Sequence, residues 1–189
     1  MKTIGVLALQ GSVSEHLSMI TKTGHQAVPI KHPEELATLD GLILPGGEST
    51  TMRRFIEKYH FTGPLHDFAQ SGRGIFGTCA GLVLSASAIS NGDTGYKFAD
   101  YTAVRNGFGR QKMSFEVDLS IAALGETPFR AIFIRAPYIE KVGEGVTVLA
   151  RVDGKIVAAH ENNILVTAFH PELTDDTRLM DYFIRHCIS

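Results

Sequence analysis

Two cysteines and eight histidines supply most of the reactive chemistry in this chain. Cys79 sits in the run Gly77-Thr78-Cys79-Ala80-Gly81, where the sulfur has small residues on both sides. That spacing suits a strand-to-helix turn so tight that only small side chains fit beside the nucleophile. The nucleophile is then exposed at the end of its strand, with the N–H of the next residue facing an oxyanion site. A helix N-terminus also favours a thiolate. The same run can equally be read as a buried cysteine in a glycine-rich corner, because cysteine is among the most buried residue types.

A thiol nucleophile needs a base, and the base needs an orienting group. His170 follows the apolar run "LVTAF" and is followed by Pro171 and Glu172. A carboxylate two residues from an imidazole can turn back and hold one ring nitrogen as donor, leaving the other as base. The alternative is a loop histidine beside a surface glutamate. His16, His60, His66 and His186 have charged neighbours in helical or helix-end segments and are expected at the surface. Cys187, near the C-terminal end, is expected to pack rather than react. Gly46-Gly47, after "LILP", lets backbone N–H groups approach a substrate closely, and Glu48, Ser49 or Thr50 can cap the helix that follows. A plain turn and cap explains these residues as well. The stretch lacks the Lys-Ser/Thr ending of a phosphate-binding loop. No grouping of His, Asp and Glu has metal-ligand spacing, and two cysteines give neither a disulfide framework nor a CxxC pattern.

These residues need elements to hold them. "TIGVLAL", "QAVPI", "GLILP" and "GIFGTC" read as short strands. "SVSEHLSMITKTG", "TTMRRFIEKYH", "PLHDFAQSG" and "AGLVLSASAIS" read as helices between and after them. Ser12 with Glu15 three residues on has the form of a capping box. Strands alternating with helices predict a mostly parallel central sheet flanked by helices. Beyond Asn91 the texture becomes strand-rich, with a hairpin signal at Asp153-Gly154, so an antiparallel excursion is expected. "DDTRLMDYFIRHCI" predicts a closing amphipathic helix capped by Asp175 or Asp176. Residues 1–189 are expected to form a single α/β domain.

The bulk properties narrow the partners. A net charge of −2 with 20% charged residues leaves no basic surface for nucleic acid. Arg53-Arg54 and the stretch 105–112 are the densest basic spots, and both are brief. No apolar run approaches membrane length, and "MKTIGVLALQGS" is too short for a secretory signal. A reducing cytoplasm is the expected compartment.

"PGGES", "GTCAG" and "FHPE", in that order, resemble the triad-type (class I) glutamine amidotransferases. "IGVLALQGSVSEH", "DGLILPGGESTTMRR", "RNGFGRQ", "SFEVDL" and "FIRAP" narrow the likeness to the glutaminase subunits that serve pyridoxal 5'-phosphate synthases. The resemblance spans nearly the whole chain and implies a flavodoxin-like fold. It implies Cys79 as nucleophile, His170 as general base and acid, and Glu172 as orienter. Gly46, Gly47, Glu48, Ser49, Arg105, Ile134 and Arg135 would bind L-glutamine, the guanidinium groups suiting its α-carboxylate. Gly47 and Ala80 would form the oxyanion hole, and Gln10 would couple the site to a partner. That partner would be a (β/α)8-barrel synthase subunit in a large hetero-oligomer. Pyridoxal phosphate would be the partner's product, and this chain would carry no cofactor. Rival readings are a different cysteine hydrolase or amidotransferase on a related fold, and a non-catalytic regulatory or redox-sensing subunit.

Overall fold

The structure, a computed structural model, describes residues 1–189 apart from the side chain of Gln111. In chain order the first elements are β1 (Thr3–Leu7), α1 (Val13–Lys22), β2 (Gln26–Ile30), β3 (Gly41–Leu44), α2 (Ser49–Lys58), α3 (Thr62–Gln70), β4 (Gly74–Thr78) and α4 (Ala80–Ser85). Then follow β5 (Ala86–Ile89), β6 (Ala99–Val104), β7 (Ser114–Leu119), β8 (Phe129–Ile134), β9 (Tyr138–Val142), β10 (Thr147–Val152), β11 (Lys155–Glu161), β12 (Ile164–Thr167) and α5 (Arg178–Cys187).

The apolar runs near the chain's start and end build one parallel block in the order β2-β1-β3-β4-β12. Every residue of β3, β4 and β12 is buried, as expected of strands covered on both faces. From β12 the sheet continues through β11, β9 and β6 by antiparallel pairing, and β5 closes that edge parallel to β6. β7 and β8 form a separate antiparallel pair. The mostly parallel sheet with an antiparallel excursion is therefore present. The hairpin expected at Asp153-Gly154 joins β10 to β11, with both residues at positive φ, +48° and +77°. Two consecutive positive φ values make the turn type that matches strand twist.

Register aligns the strand ends that matter. Leu44 and Val166 both pair with Gly77, and Thr167 pairs with Thr78. The chain therefore leaves β3, β4 and β12 at one level, on the carboxyl edge of the sheet. In open α/β sheets that edge is where ligands bind.

Two expectations for local structure fail. The helix expected over "AGLVLSASAIS" stops at Ser85, and the rest is β5. The carbonyls of Leu84, Ser85 and Ala86 accept from the N–H groups of Tyr96, Phe98 and Lys97, which come from a distant stretch. That pairing with residues 96–98 ends the helix. The capping box at Ser12 is also absent. Ser12 holds the N-cap position of α1, but its hydroxyl makes no cap bond and instead donates to Glu172 Oε1 at 2.8 Å. The closing helix α5 begins at Arg178 with Thr177 as N-cap. Asp176 accepts from the Arg178 backbone N–H at 3.1 Å, close to the cap role expected for it.

Candidate active site

Cys79 follows β4 directly and precedes α4. Its backbone sits at φ +51°, ψ −101°, outside the regions that residues with a Cβ populate readily. Its N–H donates to the Thr167 carbonyl at 2.8 Å, which ties the turn to β12. The following glycine explains how close the turn is packed. A Cβ on Gly81 would lie 2.1 Å from the Leu44 carbonyl oxygen, so only hydrogen fits between α4 and β3. Cys79 is mostly buried, at 7% exposure, and opens on a cleft of about 510 Å³. Cys79 is thus buried and also placed on a tight strand-to-helix turn that opens on a cleft. Sγ lies 3.9 Å from the Ile134 carbonyl oxygen.

His170 comes off β12, and its backbone N–H is held by the Ile132 carbonyl of β8 at 2.9 Å. Pro171 opens a 3₁₀ turn, Pro171–Leu173, that folds Glu172 back over the imidazole. His170 Nδ1 and Glu172 Oε1 are 2.6 Å apart. Burial by itself would lower the His170 pKa, but hydrogen bonds to Cys79 and Glu172 outweigh it and raise it to about 10. Burial likewise works to raise the Glu172 pKa. The bonds from His170 and Ser12, with the nearby His16, overcome it, so the carboxyl stays below its ordinary value.

Gly46 is buried behind the imidazole. A Cβ there would stand 2.4 Å from His170 Cε1. Its carbonyl accepts from the Ser12 N–H at 2.9 Å. Gly47, Glu48 and Ser49 line the cleft together with Gln10, Cys79, Ala80, Arg105, Ile134, Arg135 and His170. Ala80 is the first residue of α4, so its N–H has no partner within the helix. The Glu48 carboxylate takes the capping role that the sequence offered to Glu48, Ser49 or Thr50. It caps α2, accepting from the Thr50 and Thr51 N–H groups at 3.2 and 2.7 Å, and lies 3.5 Å from Arg105 Nη2. The Thr51 hydroxyl leads the effects that hold its pKa below the ordinary value. Gln10 lies inside the cleft wall, where its Oε1 accepts from the Glu48 N–H at 2.9 Å. Sequence reasoning missed Val83, Asn106 and Pro137, which complete the wall. They come from loops and a helix face with no local pattern to mark them.

His16 is the clearest correction. It was expected at the surface, yet it is completely buried, with Nε2 3.0 Å from Thr78 Oγ1 and 3.6 Å from Glu172 Oε2. Burial lowers its pKa more than the Glu172 carboxylate raises it, so the ring is neutral at neutral pH. Helical spacing from Met19 and Ile20, both buried, places position 16 on the inward face and was the available signal. Cys187 is buried as expected, and burial pushes its thiol up to about 12. Among the described residues no group of His, Cys, Asp and Glu is arranged to hold a metal.

The model of the SNO glutamine amidotransferase family matches residues 6–189. The chain belongs to this family. Among its relatives, the "Pyridoxal 5'-phosphate synthase subunit PdxT" of Listeria monocytogenes serotype 4a is 57% identical over 184 residues, covering 97% of this chain and 98% of the relative. The protein of the same description from Bacillus velezensis is 52% identical over 186 residues, 98% of this chain and 94% of its own. A solved "glutamine amidotransferase" superposes with a TM-score of 0.90 at 39% identity, over 96% of this chain and 97% of that one. The glutaminase domain of Trypanosoma brucei CTPS shares the fold, with a TM-score of 0.66 at 12% identity. It covers 97% of this amidotransferase chain and 93% of that one.

Proposed function

We propose that Cys79, His170 and Glu172 hydrolyse the side-chain amide of L-glutamine to glutamate and ammonia, and that the ammonia feeds pyridoxal 5'-phosphate synthesis. Cys79 Sγ attacks the carboxamide carbon and its proton passes to His170. The N–H groups of Gly47 and Ala80 receive the oxyanion. His170 then protonates the departing nitrogen, ammonia leaves, and a γ-glutamyl thioester remains on Cys79. A water molecule gives a proton to the neutral imidazole and attacks the thioester. The second tetrahedral intermediate collapses to glutamate, and the proton returns to sulfur. Glu172 stays a carboxylate throughout and fixes the ring through Nδ1. With its pKa raised to about 10 beside Cys79 and Glu172, His170 keeps the proton it takes from sulfur until the departing nitrogen claims it.

The observation that carries this reading is Cys79 on a positive-φ turn, lining one cleft with an imidazole that Glu172 holds from 2.6 Å. Arg105 and Arg135 on the cleft rim suit the α-carboxylate of the substrate. Gly46, with its α-carbon against the imidazole, and the Ile134 carbonyl beside Sγ shape the end where the carboxamide reacts. The full-length relatives named as synthase subunits support a partner that consumes the ammonia. We assign that role to a (β/α)8-barrel synthase subunit, with Gln10 as the residue through which docking reaches the cleft. Residues 1–189 act as one glutamine amidotransferase domain in the cytoplasm. Among the described residues no helix is long and apolar enough to cross a membrane.

The test is Cys79→Ala assayed with the synthase subunit. Glutamine-dependent pyridoxal phosphate formation and glutamate release should vanish, while formation driven by added ammonium salt persists. Glutamate release at the wild-type rate would overturn the assignment of the nucleophile.

A further inference from the structure

The triad is backed by a second layer that its chemistry does not use directly. Two buried polar atoms near one another, His16 Nδ1 and Glu172 Oε2, have no hydrogen-bond partner among the described protein atoms. Buried polar groups are nearly always paired, so this pair needs an explanation. Glu172 Oε1 is fully used, accepting from His170 at 2.6 Å and from the Ser12 hydroxyl at 2.8 Å. Oε2 faces only His16 Nε2, at 3.6 Å, while the same nitrogen is 3.0 Å from Thr78 Oγ1.

The tautomer of His16 follows from these neighbours. A neutral imidazole has one donor nitrogen and one acceptor nitrogen. With the proton on Nδ1, a donor would be orphaned in the interior and the Nε2 lone pair would face a carboxylate. With the proton on Nε2, that N–H points at two oxygens, and the orphan is an acceptor, the less costly kind. The ionisable neighbours that act on His16 are Glu172 and Glu15, which favour its charge, and His170, which opposes it; desolvation is the largest effect and the pKa is lowered.

We propose that His16 is a positioning residue of the catalytic triad, sharing its Nε2–H between Thr78 Oγ1 and Glu172 Oε2 and so fixing the carboxylate that holds His170. The contacts form a closed circuit. Cys79 meets His170, His170 meets Glu172, Glu172 meets His16, His16 meets Thr78, and Thr78 is the residue before Cys79. His16 and Ser12 are the two members contributed by α1 and its cap: Ser12 donates to one carboxylate oxygen at 2.8 Å, and His16 faces the other at 3.6 Å. A small rotation of α1 would therefore loosen Glu172 and the nucleophile turn together. This inference rests on the triad assignment proposed above.

The experiment compares His16→Leu, His16→Gln and Cys79→Ala in steady-state glutamine hydrolysis with the synthase subunit present. Gln can place its amide N–H near the position of imidazole Nε2, whereas Leu supplies bulk alone. His16→Leu should lower kcat about 10- to 100-fold, the range typical of groups that orient a reacting residue from behind, with KM changed by less than about twofold. The alkaline limb of its kcat profile should move to lower pH, because a looser Glu172 holds the His170 proton less well. His16→Gln should recover most of the lost rate. A His16→Leu profile that matches wild type in kcat and in limb position, beside an inactive Cys79→Ala, overturns the positioning role alone. An active Cys79→Ala overturns the triad assignment beneath it. Should His16→Leu fail to fold, imidazole 15N shifts in the wild-type protein decide. Protonated Nε2 and bare Nδ1, unchanged between about pH 6 and 8, are expected. An Nδ1–H tautomer or a titrating ring would overturn the proposal.

Discussion

Arg105 is anchored on one side and lines the cleft on the other. Its Nη2 donates to Thr50 Oγ1 at 2.9 Å and approaches Glu48 Oε1 at 3.5 Å, which holds the side chain against the N-terminus of α2. The guanidinium has five donors in a planar fork, so the remaining N–H groups can meet a substrate carboxylate at the cleft rim. Because the chain fixes the fork before substrate arrives, little side-chain entropy is lost on binding. Arg105→Gln keeps a polar group but removes the fork and the charge. Hydrogen bonds to charged groups are worth about 1.5–3 kcal/mol, so KM for glutamine should rise about 10- to 100-fold with kcat within about threefold. Steady-state kinetics decide it; an unchanged KM, or a loss confined to kcat, removes Arg105 from substrate binding. At this scale the sequence was most readable where function is local. The small residues around Cys79 and the two-residue step from His170 to Glu172 are short-range patterns, and both carry over into the structure. His16 was not readable in the same way. An adjacent Glu15 made position 16 look solvated, and only the fold brings Thr78 and Glu172, both distant in sequence, to its ring.

At the scale of elements, the nucleophile turn is held by two glycines that fail differently when replaced. Gly81 faces backbone: an added Cβ would sit 2.1 Å from the Leu44 carbonyl oxygen, and neither α4 nor β3 can yield locally. Gly46 faces a side chain: its added Cβ would meet His170 Cε1 at 2.4 Å, and an imidazole can swing aside. Gly81→Ala should therefore cost about 1–3 kcal/mol of stability, as overpacking typically does, read as a lower urea midpoint at unchanged slope. Gly46→Ala should leave the midpoint within about 1 kcal/mol. It should nonetheless lower kcat by about 100-fold, the effect of misplacing a catalytic group by around an ångström. Equal stability losses with equal activity in the two variants would contradict this division. Helix ends were the least readable elements, for a related reason. Ser12 has the right spacing for a capping box, but its hydroxyl serves Glu172. "AGLVLSASAIS" has helical composition throughout, but residues 96–98 claim the carbonyls of 84–86 and convert its second half to a strand. Local propensity is a weak prior wherever tertiary partners compete for the same backbone groups.

For the molecule as a whole, the site sets how stability depends on pH. His170 has an ordinary value of 6.5 and a folded value of about 10. Its contribution is fully present below about pH 6.5 and is lost as the pH rises through about 10. His16 works in the opposite sense. Its folded pKa lies below 6.5 because burial resists the charge, so the unfolded chain binds the extra proton and stability falls as the pH drops below that value. Glu172, held below its ordinary 4.5 despite burial by the His170 bond, adds a further loss as the pH falls through its folded value. The three effects give a dome with its maximum near neutrality, whose alkaline side belongs to His170. Cys187, raised from 9.0 to about 12, joins that side only above about pH 9. Unfolding temperatures measured across the range should decline from about pH 7 to 9 in the wild type, since the folded state binds the extra proton there. His170→Gln should flatten that decline while leaving the acid side in place, and Cys79→Ala, which removes one of the two groups that raise the His170 pKa, should make the decline smaller and end it at lower pH. An alkaline slope that survives unchanged in His170→Gln would mean that the charge lies elsewhere, and that the imidazole is not the proton-bearing member of the site at neutral pH.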